Sequence, residues 1–175
     1  MLAEDGLAAA TLERISLAAG VSRMTLHRRG LSKRNILDAL AERLEADYRE
    51  AIWPALVAKG SARERLLHAL EVECGVAEDN LEVIEALSSG DFGMGDDAGP
   101  GTLTHAVFVE PLERLLLDGA ADGSLAVLDA GETATVLFNL VGHTYRHLRT
   151  GHGWTAKRAR DAVIALAIEG VAARP

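Results

Sequence analysis

The segment Thr11–Ser32, TLERISLAAGVSRMTLHRRGLS, constrains this chain more than any other. Leu12, Ile15 and Ala19 recur at i, i+3 and i+7, which gives a first helix one apolar face. Gly20-Val21 ends that helix, because glycine enters the left-handed conformation that closes helices. Ser22 is placed to cap a second, short helix by accepting an amide from its first turn. Two helices joined by a short glycine-containing turn form the layout that sets a second helix in the major groove of DNA.

Charge sharpens this reading. Residues 11–34 carry Arg14, Arg23, Arg28, Arg29, Lys33 and Arg34 against Glu13 alone, a local net of +5 in a chain whose total is −8. So acidic a chain is no general polyanion binder. A compact basic patch on an acidic body instead confines the attraction for phosphate to one surface.

The remainder reads as helical. Hydrophobic residues make up 49% of the chain and aromatics 4%, with alanine and leucine abundant and β-branched runs scarce. The single Cys74 excludes an internal disulfide and suits a reducing cytoplasm. The start MLAEDG has no basic region before an apolar core, so it does not read as a secretory signal. Ser32 caps a helix carrying Ile36, Leu37, Leu40 and Leu44, which Pro54 is expected to stop. Capping boxes at Ser61-x-x-Glu64, Asp79-x-x-Glu82 and Asp129-x-x-Glu132 mark further helix starts. The first of these helices should turn Leu66, Leu67, Leu70 and Cys74 inward. Ser88–Gly101, with five glycines and Pro100, reads as a loop. Pro111 should kink or restart the helix that follows, and Asp122-Gly123 should end it.

In the last two helices, Ala134, Leu137, Phe138, Val141, Tyr145 and Leu148 form one stripe. Ala159, Ala162, Val163, Leu166, Ala167, Gly170 and Val171 form another, rich in small residues. Such faces bury against each other or against a second copy in a four-helix bundle, and periodicity does not separate the two outcomes.

Catalytic chemistry is poorly supported. His143 and His147 have an i, i+4 spacing that can chelate a metal, but no third ligand lies near them in sequence. His68, Glu71 and Cys74 drift around their helix, and an ordinary partly buried thiol beside polar neighbours is the simpler reading. No Ser/His/Asp set and no phosphate loop after a strand is present. The expectation is therefore no enzyme, no cofactor and no metal.

GVSRMTLHRRGLSKRNILDAL, preceded by LERISLAA, resembles the recognition region of the TetR family of bacterial transcriptional regulators. Gly20, Val21, Ser22, Thr25, Leu26, Ser32, Lys33, Ile36 and Leu37 match its pattern. LFNLVGHTYRHLRTGHGWTAKRARDAVIALAIEG is similar to the family's last two helices. His27 replaces the usual tyrosine, and Gly30 the aromatic residue that closes the recognition helix. The resemblance implies an all-α protein with a helix-turn-helix head at 1–44 and a helical ligand-binding and dimerisation body at 45–175. It implies a cytoplasmic, ligand-responsive repressor acting as a homodimer on a palindromic double-stranded operator. DNA contacts would come from Ser22, Arg23, Met24, Thr25, His27, Arg28 and Arg29, with Lys33 on a phosphate. An unidentified small-molecule effector would meet His68, His105, Phe108, Asn139 and His143. The dimer would form through Leu137, Val141, Tyr145, Val163, Leu166, Ala167 and Gly170. The family's first helix would precede AEDGLAAAT, where this chain begins at Met1, so the head is expected to lack most of that helix. The competing expectation is a helical small-molecule-binding or adaptor dimer that has lost DNA binding with it.

Overall fold

The structure, a computed structural model, describes residues 32–88 and 105–173, together with Ser22, Met24 and Arg28. Side chains at 33, 34, 37, 86–88 and 105 lie outside the description, as do the first helix and turn expected between 11 and 21 and most of the expected loop Ser88–Gly101. The described residues form six helices: α1 (Lys33–Val57), α2 (Ala62–Asp79), α3 (Leu81–Ser88), α4 (His105–Asp122), α5 (Ala130–Thr150) and α6 (Ala156–Val171). The extended backbone among them is limited to one antiparallel bridge between Leu125 and Ala172. The fold is all-α.

Two compact units divide these residues. One contains 32–46 and 80–88; the other contains 47–79 and 106–173. In the second unit α5 and α6 pack together, and α2 packs on both. Their contact faces follow helical spacing: Ala62, Leu66, Ala69, Leu70, Cys74 and Ala77 on α2, and Ala134, Leu137, Val141 and Tyr145 on α5 are all buried. Leu112, Leu115 and Leu116 of α4 are fully enclosed as well. Each such leucine contributes about 1.5–3 kcal/mol by leaving water.

The start of α2 shows how polar groups fix the ends of helices. The first four amides of a helix have no partner within it. Here the Ser61 amide donates to Glu64 Oε2 at 2.9 Å, and the Glu64 amide donates back to Ser61 Oγ at 3.3 Å, so the expected capping box forms. The amides of Ala62 and Arg63 are taken by Asp122 Oδ2 at 2.7 Å and Ser124 Oγ at 3.2 Å, from the turn after α4. That turn bends at Gly123, whose φ of 75° is the left-handed region glycine favours. One short turn therefore ends α4 and caps α2.

Four expectations need correction. Pro54 does not stop α1, which continues to Val57. Proline's fixed φ suits a helix, and the one bond it removes would have gone to Glu50, on the exposed side where water replaces it. The helix after Asp79 starts one residue later than the Asp79–Glu82 box suggests, with Asn80 O accepting from the Ile84 amide at 2.9 Å. Leu67 is exposed, not inward. Pro111 lies inside α4 without ending it.

Candidate functional site

Of the residues expected at DNA, Arg23, Thr25, His27 and Arg29 lie outside the described residues, as does the side chain of Lys33. Ser22 is exposed and non-helical; Met24 and Arg28 have helical backbone and are exposed, Met24 to 69%.

The next helix begins where the sequence places it. Ser32 Oγ accepts the Asn35 amide at 3.1 Å, Asn35 Oδ1 accepts the Ser32 amide at 3.0 Å, and Ser32 O takes the Ile36 amide at 3.2 Å. This reciprocal cap sets Lys33 at the first helical position, where the helix dipole and free amides favour an anion.

The residues expected around an effector whose side chains are described divide between surface and interior. His68 sits at the surface, its Nδ1 3.7 Å from Glu71 Oε2, with both side chains about half exposed. His143 is also exposed, 3.2 Å from Arg146 Nη2; partial burial and that arginine hold its pKa below the ordinary value. Both are corrected to surface positions, because each ring finds its polar partner on its own helix. Asn139 donates its amide to Thr135 O at 2.8 Å, the ordinary satisfaction of a helical side chain. The backbone of His105 opens α4. Of those whose side chains are described, Phe108 alone is buried, with its ring centroid 4.8 Å from Tyr48 and 5.3 Å from Phe138.

Glu73 is the polar group that sequence reading missed. It is 4% exposed, and neither carboxyl oxygen has a hydrogen-bond partner. Burial holds its pKa well above 4.5. The nearby Gly142 amide favours the charged form without making a bond of good geometry. A Cβ on Gly142 would come within 2.9 Å of Glu73 Oε1, so the carboxyl lies close against the glycine and a larger residue there would crowd it. The signal was available: Leu66, Leu70, Glu73 and Ala77 keep helical spacing, and Glu73 interrupts an otherwise apolar face. Beside it, burial pushes the Cys74 thiol up to about 12, so it stays protonated and unreactive at neutral pH.

The residues expected at a dimer interface split into two faces. Leu137, Val141, Tyr145, Val163 and Ala167 are buried within the chain, so their apolar surface is already covered. Ile164 and Ile168 join them there. Leu166, at 77% exposure, and Gly170, where an added Cβ would meet nothing, face outward. Val136 and Leu140 on α5 are exposed too, at 62% and 45%. The second stripe was therefore displaced around α6, since the small residues that admit a close backbone serve the internal α5–α6 contact. Among the described residues no group of three His, Cys, Asp or Glu side chains is placed to hold a metal, and no helix is long and apolar enough to cross a membrane.

Neither a protein-family model nor a curated protein matches the chain by sequence. Solved structures match it over nearly its whole length. A TetR-family bacterial regulatory protein from Rhodococcus RHA1 superposes with a TM-score of 0.78 at 17% identity, covering 99% of this chain and 92% of that one. A transcriptional regulator from Saccharomonospora viridis, solved in complex with choline, gives 0.77 at 21% identity over 99% and 92%. The TetR family regulator PfmR from Thermus thermophilus gives 0.75 at 19% over 96% and 92%. Through this architecture of helices, the chain has the fold of the TetR-family transcriptional regulators.

Proposed function

We propose that this protein is a DNA-binding transcriptional regulator without catalytic activity, a ligand-responsive repressor that works as a homodimer on a palindromic operator in the cytoplasm. The observation that carries the reading is the conjunction of fold and charge. A chain with the architecture of TetR regulators carries a strongly basic segment, net +5 over residues 11–34, at the helix-turn-helix sequence. The exposure of Met24 and of Arg28, and a capped helix start at Lys33, support base and phosphate contact by Ser22–Lys33. Residues 1–44 would form the head and 45–175 the ligand-binding and dimerisation body. The exposed residues Val136, Leu140, Leu166 and Gly170 support an α5–α6 face meeting its own copy across a two-fold axis, which would present two heads to a symmetric operator.

An effector would act by binding better to the body when the heads are not set for the operator; equal affinity for both states would release nothing. The choline bound by the Saccharomonospora viridis neighbour supports a small organic ligand in a body of this shape. The test is a mobility shift of the DNA upstream of the chain's own gene, titrated with salt. Binding should weaken steeply as salt rises. Arg28→Ala should lower the salt slope by about 0.9 if Arg28 holds one phosphate. Absence of binding to that DNA and to random duplex at low salt would leave the adaptor-dimer reading.

A further inference from the structure

We propose that Glu73 is the recognition group for an organic ammonium cation, which the protein binds between the Glu73 carboxyl and the rings of Tyr48, Phe108 and Phe138. The inference rests on the effector reading and gives that site its chemical class. The four residues come from α1, α2, α4 and α5 of one compact unit. Tyr48 and Phe108 are buried, with centroids 4.8 Å apart; Phe108 and Phe138 lie 5.3 Å apart, and Phe138 is partly exposed. The aromatic row thus runs from the interior to a ring that solvent reaches. Phe138 and Gly142 are one turn apart on α5, and the Glu73 carboxyl lies against Gly142.

An unpaired buried carboxyl is costly, and native chains keep few of them. The chain offers this one no relief. The Tyr48 hydroxyl is already given to Phe108 O at 3.2 Å. The titratable groups acting on the carboxyl or its neighbour include Tyr48 from α1, Cys74 and Glu71 from α2, and Tyr145 from α5 and Arg160 from α6, which both bear on Cys74. Among the described residues no basic side chain pairs with Glu73, so the missing partner is a cation or donor from outside. An ammonium ion supplies both, and aromatic faces attract it through their negative π-density. An anionic or purely apolar ligand would leave the carboxyl as it is. Burial favours the protonated form of Glu73 and a bound ammonium favours the carboxylate, so ammonium binding should release protons to solvent.

Three probes that differ only in head group test this on the full-length protein: hexylammonium, hexanol and hexanoate, titrated by calorimetry in buffers of different ionisation enthalpy. Hexylammonium should bind at least about tenfold more tightly than the other two, with proton release. Glu73→Gln should keep its helical circular dichroism yet lose both the preference and the proton release. Gly142→Ala, which crowds the carboxyl without removing it, should weaken hexylammonium selectively. Equal affinity for the three probes, no binding of hexylammonium, or a preference that survives Glu73→Gln would each overturn the assignment. The mobility shift is read separately: if DNA is bound but hexylammonium is not, only the cation site falls, whereas cation binding without any DNA binding removes the regulator reading and leaves the site.

Discussion

Arg149 near the end of α5 grips Glu78 near the end of α2 with two parallel bonds, Nε to Oε2 at 2.7 Å and Nη2 to Oε1 at 2.5 Å. Tyr145 adds its hydroxyl to the same carboxylate at 2.7 Å. The third guanidinium nitrogen donates to Trp154 O in the α5–α6 connection, and the Trp154 ring stacks under Arg158, 3.7 Å from ring centre to guanidinium carbon. A planar fork suits this set in a way a point charge does not. Arg149→Lys should therefore lose nearly as much stability as Arg149→Ala, roughly 2 kcal/mol, because it cannot satisfy the carboxylate and the carbonyl together. Urea melts followed by circular dichroism will check this; full rescue by lysine would show that charge alone suffices.

Acid should unfold the protein through the same contacts. The Arg149 hydrogen bond lowers the Glu78 pKa below its ordinary 4.5. Asp122 is lowered by bonds from the Ser124 side chain and the Ala62 amide, and Glu64 by the Ser61 amide. An acid strengthened by folding stabilises the native chain above its unfolded pKa, and that stability is lost as pH falls through the lower folded value. Melting temperature should fall as pH drops below about pH 5. In Glu78→Gln the fall should be shallower, with a lower starting point. An unchanged slope would remove Glu78 from the acid transition.

Glu73 works in the opposite sense. Its folded pKa is raised by burial, so its contribution is complete below the unfolded value and declines as pH rises toward the folded one. Glu73→Leu should stabilise the protein by about 1–3 kcal/mol at neutral pH, more at pH 8 than at pH 4. A residue that weakens its own fold is retained for some other use. Loss of stability in Glu73→Leu at every pH would show instead that the carboxyl is a structural partner.

Legibility followed the range of the forces involved. The helix starts at Ser32, Ser61 and Asp129 were readable because a cap and its partner lie within three or four residues. Asp129 Oδ1, for instance, takes the Glu132 amide at 2.8 Å. The capping of α2 by Asp122 was not readable, since 60 residues separate donor and acceptor. His68 and His143 drew notice as polar residues among apolar ones, yet each sits on the exposed side of its helix. Glu73 shares the inward spacing of Leu66 and Leu70, but an acid in a chain rich in acids carries no sign of burial in its type alone. Spacing identifies a face; only the packed partners show which face turns inward.

That distinction decides the assembly experiment. Ala167 is 2% exposed and packs inside the chain, whereas its neighbour Leu166 is 77% exposed on the outward side of α6 with Gly170. A carboxylate at 167 would be buried without a partner, which costs several kcal/mol, so Ala167→Glu should lose the folded chain itself. A carboxylate at 166 meets water in the single chain and a second apolar face only in the dimer. Leu166→Glu should therefore give a folded monomer by sedimentation, with its thermal transition still cooperative. Binding to a two-fold operator should weaken sharply, because two heads tied together gain effective concentration that separate heads lack. If Leu166→Glu stays dimeric, the outward α5–α6 face is not the interface. If the unaltered chain is monomeric at micromolar concentration, the palindromic-operator reading falls with it.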